Sequence, residues 1–221
     1  MGRLIVIDGL DGSGKSTQSE LVAGALRKEG KKVKLISFPD YEEPSSALVK
    51  MYLAGEFSEN PNDVNAYAAG SFYAVDRYAS FKKFWEKEYN DGTLILATRY
   101  ATSNAIHQMG KLKKEEWPDY LQWIEDFEYV KLGLPKPDLV IFLDMDRKVA
   151  DQLLLSRYNG DATKKDIHEK NMGYLMQCQE TAHYSANMWN WKIIHCDDGE
   201  KPKPVENITN EILLAIQEEK I

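Results

Sequence analysis

The chain has 221 residues, 43% of them hydrophobic and 29% charged, with a formal net charge of −7. That is enough for one substantial domain, and the acidic balance argues against a nucleic-acid-binding or anionic-membrane surface while leaving room for one locally basic pocket. Cys178 and Cys196 lack metal-ligand spacing and are too few for a disulfide framework, which points to a reducing interior. There is no signal-peptide pattern and no apolar run near the ~20 residues that span a bilayer. A cytoplasmic location, with neither membrane nor nucleic acid as partner, is the expectation.

In chain order, "LIVID" (4–8) is a short apolar run without alternation, as in a strand covered on both faces. Similar runs follow at 33–38, 93–97, 139–143 and 192–195. Between them lie helical patterns. Leu21, Val22, Ala25 and Leu26 form an apolar stripe that ends at Gly30, a suitable residue just past a helix C-terminus, and 117–132 and 203–220 repeat the amphipathic period. Strands alternating with helices predict an α/β fold: a five-stranded parallel sheet with helices on both faces and right-handed crossovers. No repeat or linker divides the chain, so 1–221 reads as one domain. The polar segment 156–170, "SRYNGDATKKDIHEK", reads as a short mobile lid or, equally, as a solvated connection.

"GLDGSGKS" (9–16) fits the phosphate-binding pattern G-x-x-x-x-G-K-[ST], with a buried strand before it and an amphipathic helix after it. Gly9, Gly12 and Gly14 permit a loop whose N–H groups turn inward, together with those of Asp11, Ser13 and Thr17 around the helix start, toward phosphate oxygens. Lys15 reaches the β- and γ-phosphates in such a loop, and Ser16 offers its hydroxyl to Mg²⁺. A guanine-reading N-K-x-D segment is missing from the sequence, and the chain is small for a motor, so a small P-loop NTPase of the kinase class is the leading reading.

Beyond the loop, "IDGLDGSGKSTQSELV", "FPD", "FYAVDRY", "TRYATSNAIHQ" and "GLPKPDLVIFLD" follow one another over nearly the whole chain. In that order they resemble the thymidylate kinases, a branch of the P-loop nucleoside-monophosphate kinases. The resemblance implies transfer of the γ-phosphoryl group of ATP to the 5′-phosphate of dTMP, with Mg²⁺, in a homodimer. It also implies site roles. Asp11 would hold the acceptor sugar hydroxyl, although an Asp there also suits a turn cap. Tyr73 and Arg77, four apart on one helix face, would stack on and donate to the base; without the resemblance they read as core and surface residues. Gly70, one turn before Tyr73, is costly inside a helix and suggests that something approaches closely there, which strengthens the functional reading of Tyr73 and Arg77. Arg99 would contact the acceptor phosphate and the transferring group, and Gln108 would lie near the base. Arg157, Lys164 and Lys165 in the lid, or Arg147 before it, would supply the cation that closes over the phosphates.

Two positions depart from the family pattern. Thr98 stands where an aspartate normally precedes the arginine, and Asp40 stands where an arginine commonly follows "FP". A third, milder change puts Asp8 where a glutamate is usual. A carboxylate ~4 Å from the acceptor phosphate would oppose it by roughly 4 kcal/mol at an effective dielectric of about 20. Three explanations stay open: Asp40 points away; Asp40 supplies the carboxylate that Thr98 lacks; or the chain is a kinase for another nucleotide or a deoxynucleoside, or a catalytically impaired nucleotide-binding relative.

Overall fold

The structure, a computed structural model, describes residues 1–157 and 172–221, without the side chains of Pro61, Ser156, Arg157 and Met172. The expected lid, with Lys164, Lys165 and the Arg157 side chain, lies outside the described residues.

Five strands, β1 (Leu4–Gly9), β2 (Val33–Ser37), β3 (Leu94–Thr98), β4 (Leu139–Asp144) and β5 (Lys192–His195), form one sheet in the order β2-β3-β1-β4-β5. Every pairing is parallel. All five lie within one or two residues of the runs read from sequence. The reason those runs lack alternation is plain in the packing. Leu4 and Val6 enter a core with Ile95, Ala97 and Phe142 on one side of the sheet, while Ile5 and Ile7 enter another with Leu96, Ile141 and Leu143 on the other. Each strand face is therefore apolar.

Helices α1 (Lys15–Lys28) and α9 (Val205–Glu218) cover the second face through Val22, Ala23, Leu26, Ile208, Ile212 and Ile216. The first face is covered by residues of α5 (Thr102–His107), α6 (Trp117–Ile124) and α8 (Met172–Met188). Between β2 and β3 run α2 (Ala47–Leu53) and α3 (Ala66–Ser80), the latter continued by a π-turn and α4 (Glu86–Asn90). The last major helix of the set, α7 (Arg147–Arg157), follows β4.

Three sequence readings are corrected here. In α1 the buried stripe runs through Val22, Ala23 and Leu26, and Leu21 is 44% exposed, because the sheet meets a face turned by one residue from the most apolar one. The period across 117–132 is not a single helix: α6 stops at Ile124 and a π-helical segment, Glu125–Lys131, continues it. Gly70 is explained by packing. A Cβ there would lie 2.7 Å from the hydroxyl of Tyr120 and 3.2 Å from the ring of Trp123, so the close approach belongs to α6. Gly30, by contrast, ends α1 as expected, at φ +84°.

Tyr120 is fully buried and its hydroxyl donates to the Ala66 carbonyl at 3.0 Å, so it cannot easily yield. Gly70→Ala is accordingly expected to lose about 1–3 kcal/mol from overpacking instead of gaining the ~1 kcal/mol of an ordinary helical Gly→Ala change; urea unfolding distinguishes the two signs.

Candidate functional site

The C-terminal ends of β1, β2, β3 and β4 open into one cavity of about 790 Å³. This is the edge where parallel α/β sheets bind ligands, at the strand whose two neighbours lead in opposite directions. Three regions of side chains line it.

The first is the loop 9–14 and the start of α1. Gly12 and Gly14 sit at φ +86° and +85°, which only glycine adopts without strain, and a Cβ on Gly12 would meet the Ala150 carbonyl oxygen at 2.6 Å. Gln18 is the first residue whose N–H reaches a helical carbonyl, that of Gly14 at 3.0 Å, and the first turn of α1 carries no acid. The N–H groups ahead of it therefore face the cavity end of an uncompensated helix dipole, a setting for anions. Lys15 lines the cavity, and its amine donates to the Leu10 carbonyl at 2.7 Å. Ser13 Oγ is buried without a hydrogen-bond partner in the structure. Asp11, Gly12, Ser13, Gly14, Lys15, Ser16 and Thr17 all line the cavity, as read from sequence; Gly9 lies just beneath, where a Cβ would meet Ser13 Oγ at 2.6 Å.

The second region is the junction with β3. Arg99, just past the strand, adopts φ +62°, an uncommon conformation for a side-chain-bearing residue, while its N–H donates to the Ile7 carbonyl at 3.2 Å. Its guanidinium bonds to the Asp11 carboxylate, donates to His107 Nε2 at 2.8 Å and lies 3.9 Å from Asp8. Burial alone would lower the Arg99 pKa, but Asp11 and Asp8 carry it well above its ordinary value. Because a guanidinium only donates, His107 accepts at Nε2 and carries its proton on Nδ1. Asp8 is fully buried; it accepts from Thr102 Oγ1 at 2.6 Å, Ser103 Oγ at 2.7 Å and Gly9 N–H at 2.8 Å.

Thr98 ends β3 with its hydroxyl donating to Ser19 Oγ at 2.8 Å. Asp40 does not join it. Its N–H donates to Asp76 at 2.8 Å, its carboxylate faces Ser80 Oγ at 3.4 Å on α3, and it is not among the cavity-lining residues. Burial, then Asp76 and Glu43, raise its pKa. Of the explanations left open by sequence, the reading in which Asp40 points away matches this geometry, and the reading in which it replaces a carboxylate at 98 does not.

The third region lies between α3, α5 and the π-segment. Tyr73, Arg77 and Gln108 line it together with Asn104 and His107. Arg77 is neither free nor at the surface: it is 1% exposed and forms a two-bond pair with the fully buried Glu128. Gln108 is buried, and its Oε1 has no hydrogen-bond partner. Arg147 is set aside by this geometry: it pairs with Asp151 one turn along α7 and does not line the cavity. On the opposite side, Pro202, Lys203 and Val205 form a wall after β5.

Asn104, His107 and Glu128 escaped the sequence reading, although each left a trace. Asn104 is one helical turn before Gln108. Glu128 extends the buried stripe Trp117, Leu121, Ile124 by one more step of four, and an acid at such a step signals a buried partner. As for metal, the described residues hold no group of three His, Cys, Asp or Glu side chains arranged around one point. Ser16, at the start of α1, lines the cavity beside the phosphate loop and has a hydroxyl to offer. That donor set fits Mg²⁺, which keeps waters and draws most of its ligands from phosphates.

A family model described as Thymidylate kinase matches residues 7–212. The thymidylate kinase of Mycobacterium tuberculosis is 27% identical over 199 residues, covering 88% of this chain and 92% of that one. That of Schizosaccharomyces pombe is 33% identical over 152 residues, 67% of this chain and 64% of its own. Among solved structures, the thymidylate kinase of Candida albicans superposes with a TM-score of 0.72 at 21% identity, over 99% of this chain and 92% of that one.

Behind Tyr73, Lys111 ties α2 to the loop before α3: its amine bonds to Tyr52 Oη at 2.7 Å and the Val64 carbonyl at 2.9 Å, and Tyr52 meets Tyr73 edge-on. Burial pulls its pKa from 10.5 down to about 7, against a smaller opposing effect of Cys178. Between those values the unfolded chain binds a proton that the native protein has released, so this residue makes stability rise with pH. From pH 7 to 10 the native protein is expected to gain on the order of a few kcal/mol relative to Lys111→Met, read from urea midpoints; parallel pH profiles would contradict it.

Proposed function

This chain belongs to the thymidylate kinase family, and on that premise we propose that it transfers the γ-phosphoryl group of ATP to the 5′-phosphate of dTMP. The observation that carries the reading is the continuity of the cavity. One space runs from the loop of Lys15 and Ser16, past Arg99, to the pocket of Tyr73, Arg77, Asn104 and Gln108. Donor phosphates, transferring group and acceptor nucleotide each have a place along that line.

In this assignment the 9–17 segment cradles the ATP phosphates, with Lys15 on the β- and γ-phosphates. Arg99 faces the acceptor phosphate and the group in transfer, oriented by Asp11, Asp8 and His107. On the resemblance, Asp11 is also assigned the acceptor sugar hydroxyl, and Tyr73, Arg77 and Gln108 the base. Ser16 would help hold Mg²⁺, which would supply positive charge to offset that of the phosphates. Such transfers ask for positioning and cations more than covalent chemistry. Arg157 of the lid is assigned the closing cation on the resemblance alone.

A homodimer and a cytoplasmic location belong to the same proposal. Of the aromatic residues at 72–85 and 117–129, Phe81, Trp85, Trp117 and Tyr120 are used in the protein's own core. What supports pairing is the apolar surface left on and beyond α3 by Val75, Tyr78 and Phe84. No helix among the described residues is long and apolar enough to cross a membrane.

ADP release with ATP and Mg²⁺, tested against dTMP, dUMP, dCMP, dGMP, UMP and thymidine, is expected to be fastest with dTMP and negligible with thymidine. ATP binding without turnover on any acceptor would instead favour an impaired nucleotide-binding protein. Because Asp40 faces α3, Asp40→Ala is expected to leave kcat/KM for dTMP within about two-fold; a hundred-fold loss would return Asp40 to the site.

A further inference from the structure

Glu128 accepts two hydrogen bonds from Arg77, from Nε at 2.6 Å and Nη2 at 2.7 Å, one on each carboxylate oxygen. Its Oε1 also accepts from Asn104 Nδ2 at 2.8 Å. The second Nδ2 hydrogen of Asn104 goes to the Gly70 carbonyl at 3.1 Å. Both partners of the amide are acceptors, so the Asn104 side chain has one orientation compatible with them. Its NH₂ points into the protein, and Oδ1 is the polar atom left for the cavity that Asn104 lines. On the other side of the carboxylate, Arg77 uses Nε and Nη2 on Glu128 and keeps Nη1 as a donor group.

The buried carboxylate thus dictates the hydrogen-bonding sense of two cavity side chains at once: Arg77 presents a donor and Asn104 an acceptor. A pyrimidine with a carbonyl at C4 and an N–H at N3 offers the complementary acceptor and donor. A 4-aminopyrimidine offers an amino group and a bare nitrogen, the reverse at both positions.

We propose that Glu128 is a positioning residue that sets the polarity of the base pocket, so that the acceptor base is read as an imide and cytosine is refused. The inference rests on reading this end of the cavity as the acceptor-nucleotide site. Glu128 itself touches no base; it acts through Arg77 and Asn104. Sites that hydrogen-bond a substrate group reject the analogue lacking it strongly, because their own buried groups are left unpaired.

The test uses the full chain and its Glu128→Gln variant, with dTMP, dUMP, dCMP and N3-methyl-dTMP, in steady-state turnover and in calorimetric binding. Wild type is expected to prefer dUMP over dCMP by about 100-fold or more in kcat/KM, with N3-methyl-dTMP as poor as dCMP. Glutamine keeps the shape of Glu128 but puts an NH₂ against an Arg77 N–H whichever way it turns. In E128Q the KM for dTMP is expected to rise about 10-fold or more with kcat changed only a few-fold, and the dTMP-to-dCMP preference to fall about 10-fold or more. Affinity for ATP should be unchanged. General destabilisation would lower all acceptors together, so a preserved preference in E128Q overturns the proposal. If E128Q does not fold, wild type decides: equal use of dUMP and dCMP, or undiminished binding of N3-methyl-dTMP, overturns it. Binding in the order imide over cytosine without any turnover would overturn the kinase function and leave the pocket polarity standing.

Discussion

The site depends on the contact between Arg99 and Asp11, which joins the residue after β3 to the loop after β1. It exists because the two strands are parallel neighbours in a fixed register, with Ile7 opposite Thr98. A slip of one residue would turn every side chain of β3 to the other face of the sheet. The left-handed backbone at Arg99, anchored by its N–H on Ile7, is what aims the guanidinium back over the phosphate loop. Strain of this sort persists only where its surroundings over-determine it. Here they do: Asp11 and His107 bond to the side chain from two elements, and Asp8 stands behind it from a third.

The Arg77–Glu128 pair obeys a different logic. Both side chains are essentially fully buried, and desolvating two charges offsets most of what their attraction returns. Such a pair is weak evidence of stability and better evidence of geometry. It locks α3 to the π-helical segment, and the widened turn there carries Glu128 inward after the apolar face of α6 has ended. Gly70 serves the same end, since the helices meet at the spot where a Cβ would strike Tyr120. The packing of α3 on α6 and the arrangement of the base pocket are thus one feature.

How far the sequence could be read follows from the range of the forces involved. The strands, the phosphate loop and Gly30 were legible because each is decided within a few residues. Leu21 misled because which face of an amphipathic helix is buried depends on what it packs against, and Val22 and Ala23 fit the sheet better. Arg77 was placed on the right face of the right helix, but its partner lies 51 residues away in a segment whose period had changed from α to π. Asn104 and His107 sat inside a quoted motif and still passed unnoticed, since neither spacing nor composition tells which polar side chains of a short helix turn inward. Asp40 shows the limit of adjacency: β2 does neighbour β3, yet the chain after Phe38 turns toward α3 and takes the carboxylate with it.

That turn also bears on the threonine at 98. Among the described residues, the carboxylates nearest Arg99 and Lys15 are Asp11, in contact with both, and Asp8, 3.9 Å from Arg99. Two cations thus face two acids before any nucleotide arrives. A carboxylate at the end of β3 would add a third negative charge to this group. Thr98 instead turns its hydroxyl to Ser19, a fully buried side chain of α1, and joins strand to helix without adding charge. Arg99 is held without an acid beside it in sequence because Asp11 and Asp8 reach it from the neighbouring strand and loop. Both carboxylates that face Arg99 thus come from the other side of the same strand pairing.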